Sequence, residues 1–398
     1  MKKEFSLLID LCAAGRGLPC TRAGEPVNLD SIDETLLINI AREHKTAAAM
    51  LTGLKKTGRA LSSASMNTLT RGVTRGRAAR TFLMEEWDRI EQTLFRNGIP
   101  MITIKGPASS TQLYGNPVTR EYSDLDIIVR DVPGLARTVP VMESLGYQAQ
   151  PPISSRTPKK QAWYISEPHH LTFVNPSSPF RVEVHSTFFP EAGPGSGYHL
   201  DTIFQRAERV EHAGKGHTVP SLIDHALYMI GHGTKHAWSQ LHWVLDAAAL
   251  LSRNTCDFHT GLVDGVIALG MEKQLTLLIA LVQDLFPIPV PAVYSGITGQ
   301  YARTVTRQLR IAQDRLFSRN TEHQPIYHIL YFSWRYQMSF VTGIRGKTAV
   351  LLQPFLVTRT DADALPLPGL LRPLHILLRP FFVISRRIGR LAKGWEGR

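Results

Sequence analysis

The run Ser123-Asp124-Leu125-Asp126-Ile127-Ile128-Val129 decides how this chain is read. Two acids two residues apart lead into an apolar, β-branched stretch, which is the composition of a strand. Side chains alternate across a strand, so both carboxylates share one face. Like charges side by side repel, and the usual compensator of such a pair is a hard divalent cation that takes carboxylate oxygens. Upstream, residues 99–104 form another short β-branched run that ends in Lys105-Gly106, a strand entering a tight turn. Downstream, Val182-Glu183-Val184-His185 is a third such run, and Glu183 supplies a third acid. The pattern points to phosphoryl or nucleotidyl transfer. The competing reading of Asp124 and Asp126 is the solvated face of an edge strand, and the turn at Gly106 together with Glu183 weighs against it.

With 398 residues, 43% hydrophobic and 20% charged, the chain has room for two or three domains and a large core. No uncharged apolar run reaches the length of about 18 residues expected of a spanning helix. Glu4 and Asp10 interrupt the apolar N-terminal run, which makes it a poor secretory signal. Cys12, Cys20 and Cys256 form neither a disulfide framework nor a paired-cysteine zinc site, so a reducing cytoplasm is the simplest expectation. The formal net charge is +12, and residues 301–398 alone hold 16 Lys and Arg against 5 Asp and Glu. Such a region can attract nucleic acid, an acidic membrane surface or a polyphosphate. A solvated helical surface is the plainer reading.

Around the strands the chain reads as helical. Residues 1–96 carry apolar residues at helical spacing, notably Phe82, Leu83, Trp87, Ile90 and Leu94, and Asn97-Gly98 ends that pattern. Residues 97–200 form a small α/β unit: the strands above, short helices over 108–113 and 135–145, and two antiparallel strands at 171–174 and 181–185 around a turn-rich 175–179. Residues 201–398 return to helix, with long periodic stretches at 222–251 and 271–286 and further helices near 299–317 and 325–342. Pro366, Pro368, Pro373 and Pro380 cut short any amphipathic helix in the tail.

Taken together, Ile104-Lys105-Gly106, Leu113-Tyr114, Arg120, Ser123-Asp124-Leu125-Asp126 and Val182-Glu183-Val184-His185 resemble the uncharacterised bacterial nucleotidyltransferase family of the polymerase-β-like superfamily. Ala41-Arg42-Glu43-His44-Lys45, the stretch from His232 to Asp246, and Leu378-Arg379-Pro380 extend the similarity over most of the chain. The resemblance implies an α+β fold, a mixed sheet with flanking helices set between N- and C-terminal helical regions. It also implies two Mg²⁺ ions, or Mn²⁺ in their place, held by Asp124, Asp126 and Glu183. The chain departs from the superfamily pattern at the turn, which reads Gly106-Pro107 in place of Gly-Ser, and in the longer spacer from Gly106 to Asp124.

On this reading an NTP, with ATP the leading donor, meets Lys105, Gly106, Arg120 and Ser123. Gly106 lets backbone N–H groups approach phosphate, and Lys105 and Arg120 balance its charge. Ser123 serves equally as a strand-entry residue, Arg120 as the partner of Glu121 or of a core acid, and Tyr114 as packing. His185, which shares a face with Glu183, either orients a metal-bound water or phosphate or satisfies a core hydrogen bond. His169 and His170 precede a strand and read as loop histidines at the edge of the cleft. His232 and His236 stand four apart on a helix, with Asp246 a conceivable third zinc ligand; a helix packed on the catalytic sheet is the plainer account. Gly343-Ile344-Arg345-Gly346-Lys347-Thr348 imitates the end of a phosphate-binding loop but lacks its first glycine, since Val341 stands there, and reads as a turn.

Two functions compete. One is a Mg²⁺-dependent nucleotidyltransferase that moves NMP from an NTP to a hydroxyl on a small molecule, a peptide or protein, or an RNA, with release of pyrophosphate. The basic C-terminal region would suit an anionic acceptor. The other is a non-catalytic nucleotide-binding or regulatory module on the same fold, and the complete acid set weighs against it.

Overall fold

The computed structural model describes residues 2–19, 31–166, 170–178, 180–189, 195, 198–253, 255–318, 335–341, 343–352 and a few positions beyond 364. Cys20, His169 and almost all of the basic tail, including the proline-rich segment and Pro380, lie outside the described residues. The architecture is a mixed sheet flanked by helices in a mostly helical chain, the α+β arrangement that the resemblance implies.

Five strands form the main sheet in the order β1-β2-β5-β4-β3: β1 Met101–Thr103, β2 Asp124–Val129, β3 Gln148–Gln150, β4 His170–Val174 and β5 Arg181–His185. β2 and β5 are parallel, and every other pairing is antiparallel. The register sets Asp126 opposite Glu183 on β5, and Glu183 opposite Thr172 on β4. Alternation then gives the sheet two unlike faces. Leu125, Ile127, Val129, Val182, Val184, Leu171 and Phe173 point one way into an apolar core shared with α6 (Val132–Ser144) and α4 (Ser63–Arg96). On the other face lie Asp124, Asp126, Glu183 and His185, with Ile102 and Ile128 packing against the helical remainder of the molecule.

The second half of α4 presents the expected stripe except for Phe82, which is exposed. Leu83, Trp87, Ile90 and Leu94 are fully buried beneath the sheet, and Trp87 Nε1 donates to Thr103 Oγ1 at 2.7 Å. The helix is longer than its apolar stripe suggests: Ser62 caps it by accepting from Ser65 N, and Arg71, Arg75 and Arg77 on its first half are exposed. Among the N-terminal helices, α1 (Lys2–Arg16) packs on α3 (Ala47–Thr57), which follows α2 (Glu34–Glu43). α5 (Pro107–Tyr114) starts at the Gly106 turn, with proline in its first turn where the missing N–H costs nothing.

After α7 (Pro158–Ser166) and α8 (Leu200–Gln205), a hairpin interrupts the helical run expected beyond residue 200. β6 Glu208–His212 pairs with β7 Lys215–Val219 across Ala213-Gly214, both at positive φ, as a two-residue hairpin turn demands. The stretch at 222–251, expected as one helix, is two. α9 (Leu222–Lys235) ends where Ala237 and Trp238 take positive φ, and α10 (Leu241–Leu251) follows. The break tucks the Trp238 indole against α9 at Gly233, where a Cβ would come within 2.5 Å of the ring. α11 (Cys256–Ala268), α12 (Glu272–Leu285) and α13 (Ser295–Phe317) complete this layer. Residues Gly343–Leu352 are helical, so the loop-like motif there belongs to a helix where a turn is expected. Among the described residues, no helix is long and apolar enough to cross a membrane.

Candidate active site

The acid face of the sheet forms around Asp126. Its carboxylate is 1% exposed, and one of its oxygens, Oδ1, lies 2.8 Å from Lys105 Nζ and 3.1 Å from His185 Nε2. Burial alone pushes a carboxyl upward, but the positive charge of Lys105 and the His185 hydrogen bond outweigh it and hold Asp126 below the usual carboxylate range. Lys105 responds in the opposite sense: burial disfavours its charge, while Asp126 and then the Tyr228 hydroxyl retain it, so its pKa is raised. Glu183 is moved up, first by burial and then by the Asp126 carboxylate beside it. Two neighbouring carboxyls are thus pushed apart, one held ionised and one made more basic.

The other oxygen of Asp126, Oδ2, is buried and finds no hydrogen-bond donor among the described residues. A buried anionic oxygen without a partner is costly. It lies on the face that also carries Asp124, two residues earlier on β2, and Glu183, opposite on β5. Asp124 is half-buried. An oxygen-only donor set with one oxygen unsatisfied fits a hard divalent cation such as Mg²⁺, so the three acids suit the ions that the resemblance implies.

Gly106 shapes the approach to this face. It sits at φ 55°, ψ −115°, and a Cβ there would lie 3.1 Å from the carbonyl oxygen of Asp124 and 3.4 Å from the Tyr122 ring. The turn can therefore run against the start of β2 only without a side chain. Ser123 is exposed and accepts from Lys45 Nζ at 3.3 Å, so its hydroxyl ties the strand entry to the segment after α2.

Arg120 and Tyr114 meet at a fourth acid, Asp246. Arg120 Nε is 2.6 Å from Asp246 Oδ2, and Tyr114 OH donates to Asp246 Oδ1 at 2.7 Å. Burial works against the Arg120 charge, but Asp246 more than restores it, and the guanidinium pKa is raised. Arg120 is thus the partner of a core acid, and Asp246 is engaged away from His232 and His236. Those two histidines stack within a group that includes Tyr228 and Trp243. Lys105, Arg120, Tyr228, His232, Trp243 and Asp246 are among the residues that border a small pocket beside the acid face.

The sequence reading missed the roles of Tyr228, Trp243 and the Asp246 carboxylate at this site. Helical spacing marks them as inward-facing on α9 and α10, but nothing local says that these helices cross the acid face. Ser109 is a similar case: its Oγ meets His225 Nε2 at 2.7 Å, holding α5 to α9.

A mixed sheet with three acids on one face, preceded by a glycine turn, is the arrangement that the resemblance to nucleotidyltransferases implies. In agreement, residues 30–287 match the model of a family described as uncharacterised nucleotidyltransferase, and the chain belongs to that family. No curated protein and no solved structure matches it.

Proposed function

We propose that this chain is a metal-dependent nucleotidyltransferase that moves NMP from an NTP, ATP first among them, to a hydroxyl-bearing acceptor. The observation that carries the proposal is the register of β2 and β5, which lays Asp126 against Glu183 with Asp124 on the same face. Asp124, Asp126 and Glu183 would hold Mg²⁺, which, when bound, neutralises the triphosphate and stabilises the developing charge. The remaining chemistry belongs to the chain. The acceptor oxygen bonds to the α-phosphorus as the bond from that phosphorus to the bridging oxygen breaks, and pyrophosphate carries the electron pair away. Glu183 takes the hydroxyl proton, directly or through a water. Lys105, paired with Asp126 before the donor arrives, is placed to turn its ammonium to phosphate oxygens. Gly106, which has no Cβ, leaves the turn backbone accessible to the same group. The free thiol of Cys12, buried near α3, accords with a cytoplasmic setting.

Pyrophosphate release from labelled NTPs with Mg²⁺, supplied with fractionated small molecules, RNA or protein as acceptor, tests the proposal. Release should fall at least about 100-fold in Asp124→Asn, since a ligand to the reacting centre is lost. Nucleotide binding without release from any acceptor class would point to the regulatory module. Neither binding nor release would sink both readings.

A further inference from the structure

At the far end of the acid face, three side chains form a donor set that the carboxylates do not explain. His170 opens β4 and His185 closes β5, and the antiparallel register sets them directly opposite one another. Their rings lie 5.0 Å apart at an angle of 38°. Glu183, two residues before His185, shares their face. Its Oε2 is 3.7 Å from His185 Nε2 and 4.0 Å from His170 Nε2, and one ligand atom from each of the three lies within 4.8 Å of the others. His170, Glu183 and His185 are thus close enough to share one ion.

We propose that His170, Glu183 and His185 bind a borderline divalent cation of the Mn²⁺-to-Zn²⁺ series, at a position separate from that of Asp124 and Asp126. Metal–donor bonds of about 2.1 Å place donors about 3.4 Å apart in a tetrahedron, so small side-chain rotations close the observed set onto an ion. All three donors sit on paired strands, which fixes their spacing. Two imidazoles and one carboxylate select nitrogen-loving ions over Mg²⁺, which takes oxygen and keeps its water. Asp126 adds negative charge beside the site, and its Oδ1 already contacts His185 Nε2. When His185 Nε2 gives its lone pair to the ion, its ring proton resides on Nδ1, and the contact with Asp126 becomes one between carboxylate and cation. A carboxylate has two oxygens, so Glu183 can serve this ion and one held by the aspartates together.

The test uses full-length, tag-free, nucleotide-free protein and Co²⁺ alone as the probe. Titration should give one equivalent with a visible d–d band characteristic of nitrogen ligation, and excess Mg²⁺ should leave the band in place. His170→Ala and Glu183→Gln should each weaken Co²⁺ by tenfold or more, while Asp124→Asn should hold within about twofold. Zn²⁺ should raise the melting temperature of the native protein but not of His170→Ala. Equal melting temperatures of the two in chelator establish that the variant folds; His170→Gln, which keeps more of the side-chain bulk, replaces it otherwise. Absence of the band, its loss to Mg²⁺, or unchanged Co²⁺ affinity in the folded His170 variant overturns the proposal. Nucleotide turnover enters none of these readouts, so failure of the transferase reading leaves the metal result standing, and the reverse holds as well.

Discussion

Lys105 Nζ rests 2.8 Å from Asp126 Oδ1, on a carboxylate with 1% of its side chain exposed. Removing one member of such a pair strands the other's charge out of water, which costs about 3–5 kcal/mol when nothing replaces it. His185 still touches Asp126, so Lys105→Met should cost somewhat less, about 3 kcal/mol of unfolding free energy. The double variant Lys105→Met/Asp126→Asn should recover much of that loss, because no buried charge is left uncompensated. Urea denaturation of the two single variants and the double variant measures the coupling. A coupling energy near zero would mean that the contact does not hold the site together.

Asp124 and Asp126 differ in kind, although the sequence presents them as a matched pair. Asp126 is buried and bonded to Lys105 and His185, while Asp124 is half-buried. Asp126→Asn should therefore lower stability by about 1–3 kcal/mol as well as abolish activity, and Asp124→Asn should abolish activity within about 0.5 kcal/mol of native stability. Paired denaturation and pyrophosphate assays check this. Equal destabilisation by both substitutions would contradict the division of labour.

Much of this site was legible because it is local. The two aspartates and the third acid each lie in a short strand whose alternation fixes a face, the glycine turn directly precedes a helix, and pairing of β2 with β5 only had to bring those faces into line. What escaped reading depends on contacts across more than a hundred residues. Arg120 meets Asp246, and Ser109 meets His225, across 126 and 116 residues of chain. Helical periodicity states that such residues face inward but not what they face. The β6–β7 hairpin escaped for another reason: Glu208-Arg209-Val210-Glu211-His212 is too polar to show a strand's apolar alternation, and its turn uses Ala213-Gly214 in place of a stronger turn pair.

The Arg120–Asp246–Tyr114 cluster joins α5 and the strand-entry loop to α10. Asp246→Ala leaves the Arg120 guanidinium buried without its anion and should destabilise by about 3–5 kcal/mol. Tyr114→Phe removes one hydrogen bond to a charged group and should cost about 1.5 kcal/mol. Guanidinium titration monitored by tryptophan fluorescence checks both. A loss below about 1 kcal/mol in Asp246→Ala would show that the ion pair is dispensable.

Two of the buried histidines with lowered pKa, His44 and His225, contribute to the acid limit of the fold. His44 Nδ1 accepts from Leu241 N at 3.1 Å, which requires that nitrogen to be unprotonated, and burial lowers the pKa to about 4. His225, wholly buried between Ser109 and Gln112, is also lowered to about 4, chiefly by burial. In the unfolded chain both take up a proton near pH 6.5. Between these values the unfolded state binds more protons than the folded one, so stability falls as pH drops from about 6.5 towards 4 and is fully present above that window. Each histidine contributes up to about 3 kcal/mol to the loss. Urea midpoints from pH 4 to 7 should decline on the acid side, and His225→Gln should flatten the slope. A flat profile across the window would require these histidines to be charged in the native state.

Gly106 carries a steric demand at the entry to the acid face. Its φ of 55° with ψ of −115° lies outside the helical and extended basins, and a Cβ would press to 3.1 Å on the Asp124 carbonyl oxygen. Gly115, at the end of α5, also has positive φ, 69°, but opens onto space with no atom within 4 Å of a Cβ. Gly115→Ala thus measures the backbone cost alone, about 1 kcal/mol. Gly106→Ala adds the collision and should cost about 2–3 kcal/mol. The turn and β2 can relieve the contact only by parting, which displaces Asp124 relative to Lys105, so pyrophosphate release should fall by at least about tenfold even under conditions where the variant is fully folded. Gly115→Ala should retain near-native turnover. If Gly106→Ala matched it in both stability and rate, the close approach of turn and strand would have no part in shaping the site.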